Sequence, residues 1–234
     1  MARSSVPIDV SIVKIGGHNA LVNAKSSYHH GDLRRALLSA AEDVLRERGL
    51  QGLTLRECAR RAGVSHAAPK HHFGDARGLL TALAARGFGR LTRRLRSRLA
   101  AAGPDLDAQF AATVDAYAGF ARACPEHFRI MFRSDLVDCA APELRQAAGE
   151  TFTELTNVIR RQRGEPDIGP AELDAALESE RLLEDIMIGW CHVHGYAHLQ
   201  LEGQFDMVGT PRQRRAARDV GDRLAAVIRA GAAG

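Results

Sequence analysis

An all-α fold is predicted by three features of this 234-residue chain. Apolar residues recur at helical spacing along most of its length, and prolines stand where helices can begin. No stretch alternates apolar and polar residues with the period of two that a half-buried strand requires. The length suffices for one large or two modest domains with a real core. Apolar residues at 45% and charged residues at 26% are ordinary for a globular protein. No apolar run reaches the length of a membrane span, and the amino terminus lacks an apolar signal core. A cytoplasmic protein with no membrane partner is therefore expected.

Residues 1–27 mix Val-Pro-Ile, Gly-Gly and Asn-Ala-Leu-Val without helical period, which predicts a mostly disordered tail. From Leu33 to Arg48 the apolar residues are Leu33, Ala36, Leu37, Ala40, Ala41, Val44 and Leu45, the spacing of an amphipathic helix, and Gly49 stops it. Thr54 to Phe73 then reads as two short helices joined by a tight turn. Thr54 can cap the first, with Glu57 completing a capping box. Leu55, Ala59 and Ala62 share one face, and Gly63 supplies the left-handed exit. Val64 can plug the angle between the helices, and Ser65 is placed to cap the second. Counted from Ser65, Pro69 falls at about the fourth helical position, where it predicts a distorted turn.

Asp75 can cap a long helix from Ala76 to Leu99, with Leu79, Leu83, Phe88, Leu91 and Leu95 in its apolar stripe. Ala101-Ala102-Gly103-Pro104 breaks it. Further helices are predicted over 106–123, 125–133, 142–163, 170–201 and 211–230. Pro125, Pro142, Pro170 and Pro211 open the last four at first helical positions, where a missing N–H costs nothing.

Charge is divided along the chain. Residues 1–100 hold 18 Lys+Arg against 7 Asp+Glu, while residues 101–234 hold 14 against 21. Only the first half is suited to a polyanion, and a nonspecific packaging protein would be basic throughout. The basic half also holds the helix-turn-helix, a motif that docks its second helix in the DNA major groove. Double-stranded DNA is thus the expected partner. On the reading helix, Ser65, His66, Lys70 and His71 can donate to base edges or phosphate, and Ala67 lets the backbone approach closely. Thr54 and Arg56 open the preceding helix, where backbone N–H groups favour phosphate. Lys25, Tyr28, His29 and His30 can follow the DNA backbone or enter the minor groove as an arm.

Tyr28-His29-His30-Gly31-Asp32-Leu33, Thr54-Leu55-Arg56-Glu57, Ala62-Gly63-Val64-Ser65 and His72-Phe73 together resemble the amino-terminal DNA-binding domain of the tetracycline-repressor (TetR) family of bacterial regulators. Trp190, His194 and Gly195 resemble the Trp-His-Gly signature of one carboxy-terminal domain type in that family. The resemblance implies a three-helix DNA-binding domain over 28–78. It also implies a long connecting helix and a helical effector-binding and dimerisation domain over 79–234. The implied function is that of a homodimeric, ligand-responsive, sequence-specific regulator, most often a repressor, with no catalytic residues and no cofactor. Two departures stand out: Lys70 occupies a place where many members carry tyrosine, and His71 one where they often carry arginine or tyrosine. Ala76 replaces the lysine that commonly opens the connecting helix, leaving Arg77 as its substitute.

The family's last two helices commonly form a four-helix bundle with those of a partner subunit. Here the matching segments are 170–201 and 211–230, and Ala216, Ala217, Val220, Leu224, Val227 and Ile228 form a suitable stripe. An effector pocket is expected among Phe110, Val114, Tyr117 and Met131, together with Phe132, Phe152, Trp190 and His194. Such walls suit an apolar or aromatic small molecule. The rival reading is a Cys/His metal-dependent helical enzyme or metal sensor built on Cys191, His192, His194 and His198. His194 and His198 are four apart, as a helical chelate requires, and Glu184, Asp185 or Glu202 would have to supply a third ligand. No nucleophile set, phosphate loop or HExxH motif supports that reading. Cys58, Cys124, Cys139 and Cys191 are scattered without metal or disulfide spacing, and reduced thiols are expected.

Overall fold

The computed structural model describes residues 30–207, 209–218 and 220–232. Every regular element among them is helical. The head comprises α1 (His30–Arg48), α2 (Leu55–Ala62) and α3 (Ala68–Phe73), with a 3-10 turn at Leu50–Gly52. The long α4 (Ala76–Ala102) leads out of it. The body adds α5 (Leu106–Ala123), α6 (Pro125–Met131), α7 (Pro142–Gln162), α8 (Leu173–Ala176), α9 (Glu180–Leu201), α10 (Pro211–Arg218) and α11 (Gly221–Ala232).

The proline rule holds for α6, α7 and α10, each of which begins on its proline. Two expected long helices are instead broken. Segment 170–201 divides into a 3-10 turn at Pro170–Glu172, the short α8, and α9. The break falls at Leu177–Ser179, because the Ser179 hydroxyl accepts the Leu182 amide at 3.4 Å and so caps a new helix. Segment 211–230 is likewise two helices, α10 and α11, with Val220 outside both.

The start of α3 also departs from expectation. Ser65 does not cap it. Residues 65–67 form a turn in which the Ser65 carbonyl accepts the Ala68 amide at 3.1 Å, and Ala67 precedes the helix. Pro69 therefore lies in the first helical turn, where its absent N–H breaks no bond, and its ring is buried. The distortion expected of Pro69 becomes a later start.

Leu37, Ala41, Val44 and Leu45 of α1 are almost wholly buried, and Cys58 and Ala59 of α2 join them. This small core continues through Leu79 and Leu83 of α4 into one contiguous cluster that ends at Ile228 on α11. α4 is the spine, packing against α5, α6 and α7, while α11 lies against α5 and α9. One close approach tightens the joint between head and spine: a Cβ on Gly78 would sit 1.9 Å from the Phe73 carbonyl oxygen. Only glycine lets α4 leave α3 along this path.

Polar contacts fasten the head and the start of α4 to the body. Glu42 of α1 is 7% exposed and receives Arg90 Nη2 of α4 at 2.8 Å and His127 Nε2 of α6 at 3.2 Å. Arg86 Nε of α4 lies 3.3 Å from the same carboxylate. Burial pushes the Glu42 pKa up, but the His127 hydrogen bond and the charges of Arg90 and Arg86 outweigh it and hold the carboxyl below its usual range. Arg34 of α1 pairs with Glu143 of α7 at 2.5 Å and also lies over the Phe73 ring at 5.4 Å. Arg77 Nη2 donates to the Val137 carbonyl at 2.9 Å.

Candidate nucleic-acid interface and effector cleft

The Thr54 hydroxyl accepts the Glu57 amide at 3.1 Å and starts α2. The return half of the expected capping box is not what Glu57 supplies. Its carboxylate takes Arg60 at 2.8 Å and Arg61 at 3.0 Å, with Arg48 at 3.4 Å. These bonds, Arg60's first, hold its pKa down to about 2. Gly63 ends α2 at φ 68° and ψ 30°, and its N–H reaches back to Ala59 and Arg60. The chain then turns into α3.

Ser65, His66, Ala67, Lys70 and His71 are all exposed at the start and on the outer side of α3. Pro69 faces inward, while His72 and Phe73 are half-buried. Thr54 and Arg56 are exposed at the start of α2. Among the described residues neither the Lys70 ammonium nor the Arg56 guanidinium has a hydrogen bond or ion pair, which leaves both cations available to a polyanion. Arg77 is exposed at the start of α4, and one N–H of its guanidinium donates to the Val137 carbonyl at 2.9 Å. Lys25, Tyr28 and His29 lie outside the described residues, and His30 enters only as the first residue of α1.

The expected pocket residues divide into two groups. Phe110, Val114 and Trp190 line a narrow apolar cleft between α5, α7, α9 and α11 with a cavity volume of about 40 Å³. Leu155 and Ile159 of α7, Ile186 and Val193 of α9, and Ile228 of α11 are among the other lining residues and were missed from sequence. The second group is an aromatic cluster around His194. Phe128 stacks on His194 with centroids 5.1 Å apart, Phe132 meets it edge-on at 4.6 Å, and Phe152 meets Trp190 at 5.3 Å. Tyr117 and Met131 are buried in the core rather than on the cleft wall.

Trp190 joins the two groups. Its indole N–H donates to the Tyr117 oxygen at 3.0 Å, and that oxygen lies 2.9 Å from His194 Nδ1. Indole nitrogen can only donate, so every group is satisfied when the Tyr117 O–H donates onward to an unprotonated Nδ1. Burial, and then the neighbouring His198, push the His194 pKa down, which favours the same neutral ring. Burial pushes the Tyr117 pKa up, so its proton stays in place.

An apolar face is left uncovered on the other side of α9. Leu183, Met187, Ile188 and Leu199 are 39%, 38%, 52% and 45% exposed, and Val227 of α11 is 57% exposed. Cys191 is exposed on the same helix. Leu224 and Ile228 of the predicted stripe turn inward instead, Ile228 being 8% exposed, so only part of that stripe faces out. His194 and His198 stack at 6.3 Å, and His192 Nδ1 lies 2.7 Å from the Ile188 carbonyl oxygen. Among the described residues no group of three or more His, Cys, Asp or Glu side chains is placed to hold a metal ion. Burial raises the Cys58 thiol to about 11, which keeps it protonated. No described helix is long and apolar enough to cross a membrane.

Residues 37–83 match the family model for bacterial regulatory proteins of the tetR family, and residues 110–223 match that for the tetracyclin repressor-like C-terminal domain. A protein of unknown function from Rhodococcus sp. RHA1 is similar at 35% identity and a TM-score of 0.63, over 85% of this chain and 98% of that one. A TetR-family transcriptional regulator from Streptomyces coelicolor is similar in fold at 21% identity and a TM-score of 0.54, over 84% and 99% of the two chains. A transcriptional regulator from Rhodococcus sp. Rha1 gives 20% identity and 0.52, over 86% and 98%. No curated protein sequence matches.

Proposed function

Because the chain belongs to the TetR family of bacterial regulatory proteins, we propose that it is a homodimeric, sequence-specific repressor released from operator DNA by a small molecule. The observation that carries this reading is the exposed row Ser65, His66, Ala67, Lys70 and His71 on a helix fixed against α1, α2 and α4. Lys70 is suited to guanine O6 and N7, and the small Ala67 to a thymine methyl. Thr54 and Arg56 are suited to phosphate, which sets position rather than sequence. Lys25, Tyr28, His29 and His30 extend this reading as an arm along the duplex.

A six-residue reading helix contacts few bases. A two-fold pair reads two half-sites about 34–36 Å apart, which multiplies specificity. The uncovered face of α9 and α11 supports pairing with a second copy through these helices. The apolar cleft supports an apolar or aromatic effector. Such a molecule acts by binding one arrangement of the dimer better than the other. The site of action is the cytoplasm.

The test is selection of bound fragments from the source genome, followed by gel shifts at physiological salt. A preferred fragment with a two-fold sequence is expected. Binding no tighter than to bulk DNA overturns the reading.

A further inference from the structure

The apolar cleft lies directly behind the face on which two copies are proposed to meet. α9 separates the two surfaces. Ile186, Gly189 and Val193 point into the cleft, while Leu183, Met187 and Ile188 point outward. α11 is divided in the same way, with Ile228 lining the cleft and Val227 outside. α4 and α6 contribute nothing to the cleft wall.

The wall is also chemically uniform. No charged side chain lines it, and its one hydroxyl, Thr113 Oγ1, already donates to the Gln109 carbonyl at 2.9 Å. The indole N–H of Trp190 is taken by Tyr117. A ligand that brings a charge finds no counterion, whereas the Thr113 oxygen keeps lone pairs that can accept from one neutral hydroxyl. The space is narrow as well: a methyl added at Gly189 would lie 3.2 Å from Ile228 Cγ2.

We infer that the cleft takes a slender, uncharged apolar molecule, a short alkyl chain or a single ring, and that its occupancy acts on subunit pairing by displacing α9 and α11. This inference rests on the proposed pairing through those helices. The physical reason is that a packed helix moves as a rigid rod. A ligand that widens the gap between Gly189 and Ile228 necessarily shifts the outward side chains of the same two rods. By linkage the effect is reciprocal: whatever the ligand does to pairing, pairing does to ligand affinity.

The experiment uses the full chain with 1-octanol and octanoate as probes at pH 8. Trp190 is the single tryptophan, so its emission reports the cleft directly. A saturable emission change with octanol is expected, with octanoate at least about tenfold weaker because its charge is unpaired in the cleft. Gly189→Leu should abolish the octanol response. Gly189→Ala, a milder change that keeps the helix, should weaken it several-fold. Sedimentation at graded protein concentration should show octanol shifting the dimer dissociation constant at least about threefold.

Equal binding of octanoate overturns the ligand class. A saturable emission response with an unmoved dimer constant, or a chain that stays monomeric throughout, overturns the coupling. Failure of the proposed regulator function reads differently: no operator is preferred in the gel shift, while the emission titration still reports the cleft.

Discussion

Glu42→Gln tests the joint between head and body. The substitution keeps the shape of the side chain and removes its charge. Arg86 and Arg90 then face each other across a carboxamide, and His127, 8% exposed, loses its anionic acceptor. Removing one partner of a buried ion pair costs about 3–5 kcal/mol. Arg86 and Arg90 retain 31% and 30% exposure, so water takes up part of their charge. The expected loss is therefore about 2–4 kcal/mol. At about 2–4 °C per kcal/mol for a chain of this size, the melting temperature should fall by roughly 4–16 °C. Urea titration at fixed protomer concentration measures it, since a dimer's stability depends on concentration. The pH dependence supplies a second check. The folded pKa of Glu42 is depressed, so its contribution is full above the unfolded value, near 4.5, and is lost as pH falls through the folded value. The gap between wild type and Glu42→Gln should accordingly close below about pH 4. A loss under about 0.5 kcal/mol at pH 7, or a gap that stays constant down to pH 3, refutes the reasoning.

Three further outcomes follow from the same geometry. Arg56→Ala should weaken binding to all DNA sequences alike and lower the log–log salt slope by about 1, whereas Lys70→Ala should cost about 1–3 kcal/mol on the selected operator and relax its preference; fluorescence anisotropy over a salt series separates them. Ile188→Asp should dissociate the dimer in sedimentation and prevent cross-linking through the exposed Cys191 by a bis-maleimide, while helical circular dichroism remains; a dimer that persists counts against α9 as the interface. Tyr117→Phe removes the acceptor of the Trp190 indole and the donor to His194, at a cost of about 1–3 kcal/mol. It should also shift the Trp190 emission, and an unchanged spectrum with unchanged stability would remove the hydrogen-bonded chain from consideration.

Helix starts were legible where one residue type decides them. Pro125, Pro142 and Pro211 mark the first residues of α6, α7 and α10, and Gly63 marks the end of α2. The break at Ser179 was not legible, because helical spacing continues across it and the deciding event is a single hydroxyl bond to the Leu182 amide. The same holds for α3, where Pro69 shifts the start and thereby overrides the cap that Ser65 offers. The exposed row at α3 was readable because exposure and helix position are local properties. The cleft was read only in part. Phe110, Val114 and Trp190 stood out as large residues in step, but Leu155, Ile186 and Val193 look like any core residue until four helices are brought together. Glu42 left a signal that sequence reasoning passed over: it follows Ala41 on the buried side of α1, where an unpaired carboxylate is costly. Its partner His127 stands 85 positions away and carries no mark of its own.

In the proposed dimer, the joint at Glu42 and the cleft behind α9 bear on one quantity, the spacing of the two reading helices. Arg34 to Glu143 and Glu42 to Arg90 and His127 bind α1 of the head to α7, α4 and α6, and Arg77 to Val137 ties the start of α4 to the body, so the head is fastened to the body. α4 has 27 residues and spans about 40 Å. A tilt of about 3° at the body end moves the head end by about 2 Å, since displacement grows with lever length. Two subunits tilting in opposite senses change the separation of their reading helices by about 4 Å, more than the ~3.4 Å rise of one base pair. Side chains set for one register then meet the neighbouring bases and phosphates. In the proposed dimer, displacement of α9 and α11 that tilts each subunit by this amount would be leverage enough to end operator recognition, provided that the head stays rigidly attached. Weakening the Glu42 joint removes that condition. In Glu42→Gln, effector release of DNA should become shallower at the same ligand occupancy, because a loosened head can re-adjust to the operator while the body moves.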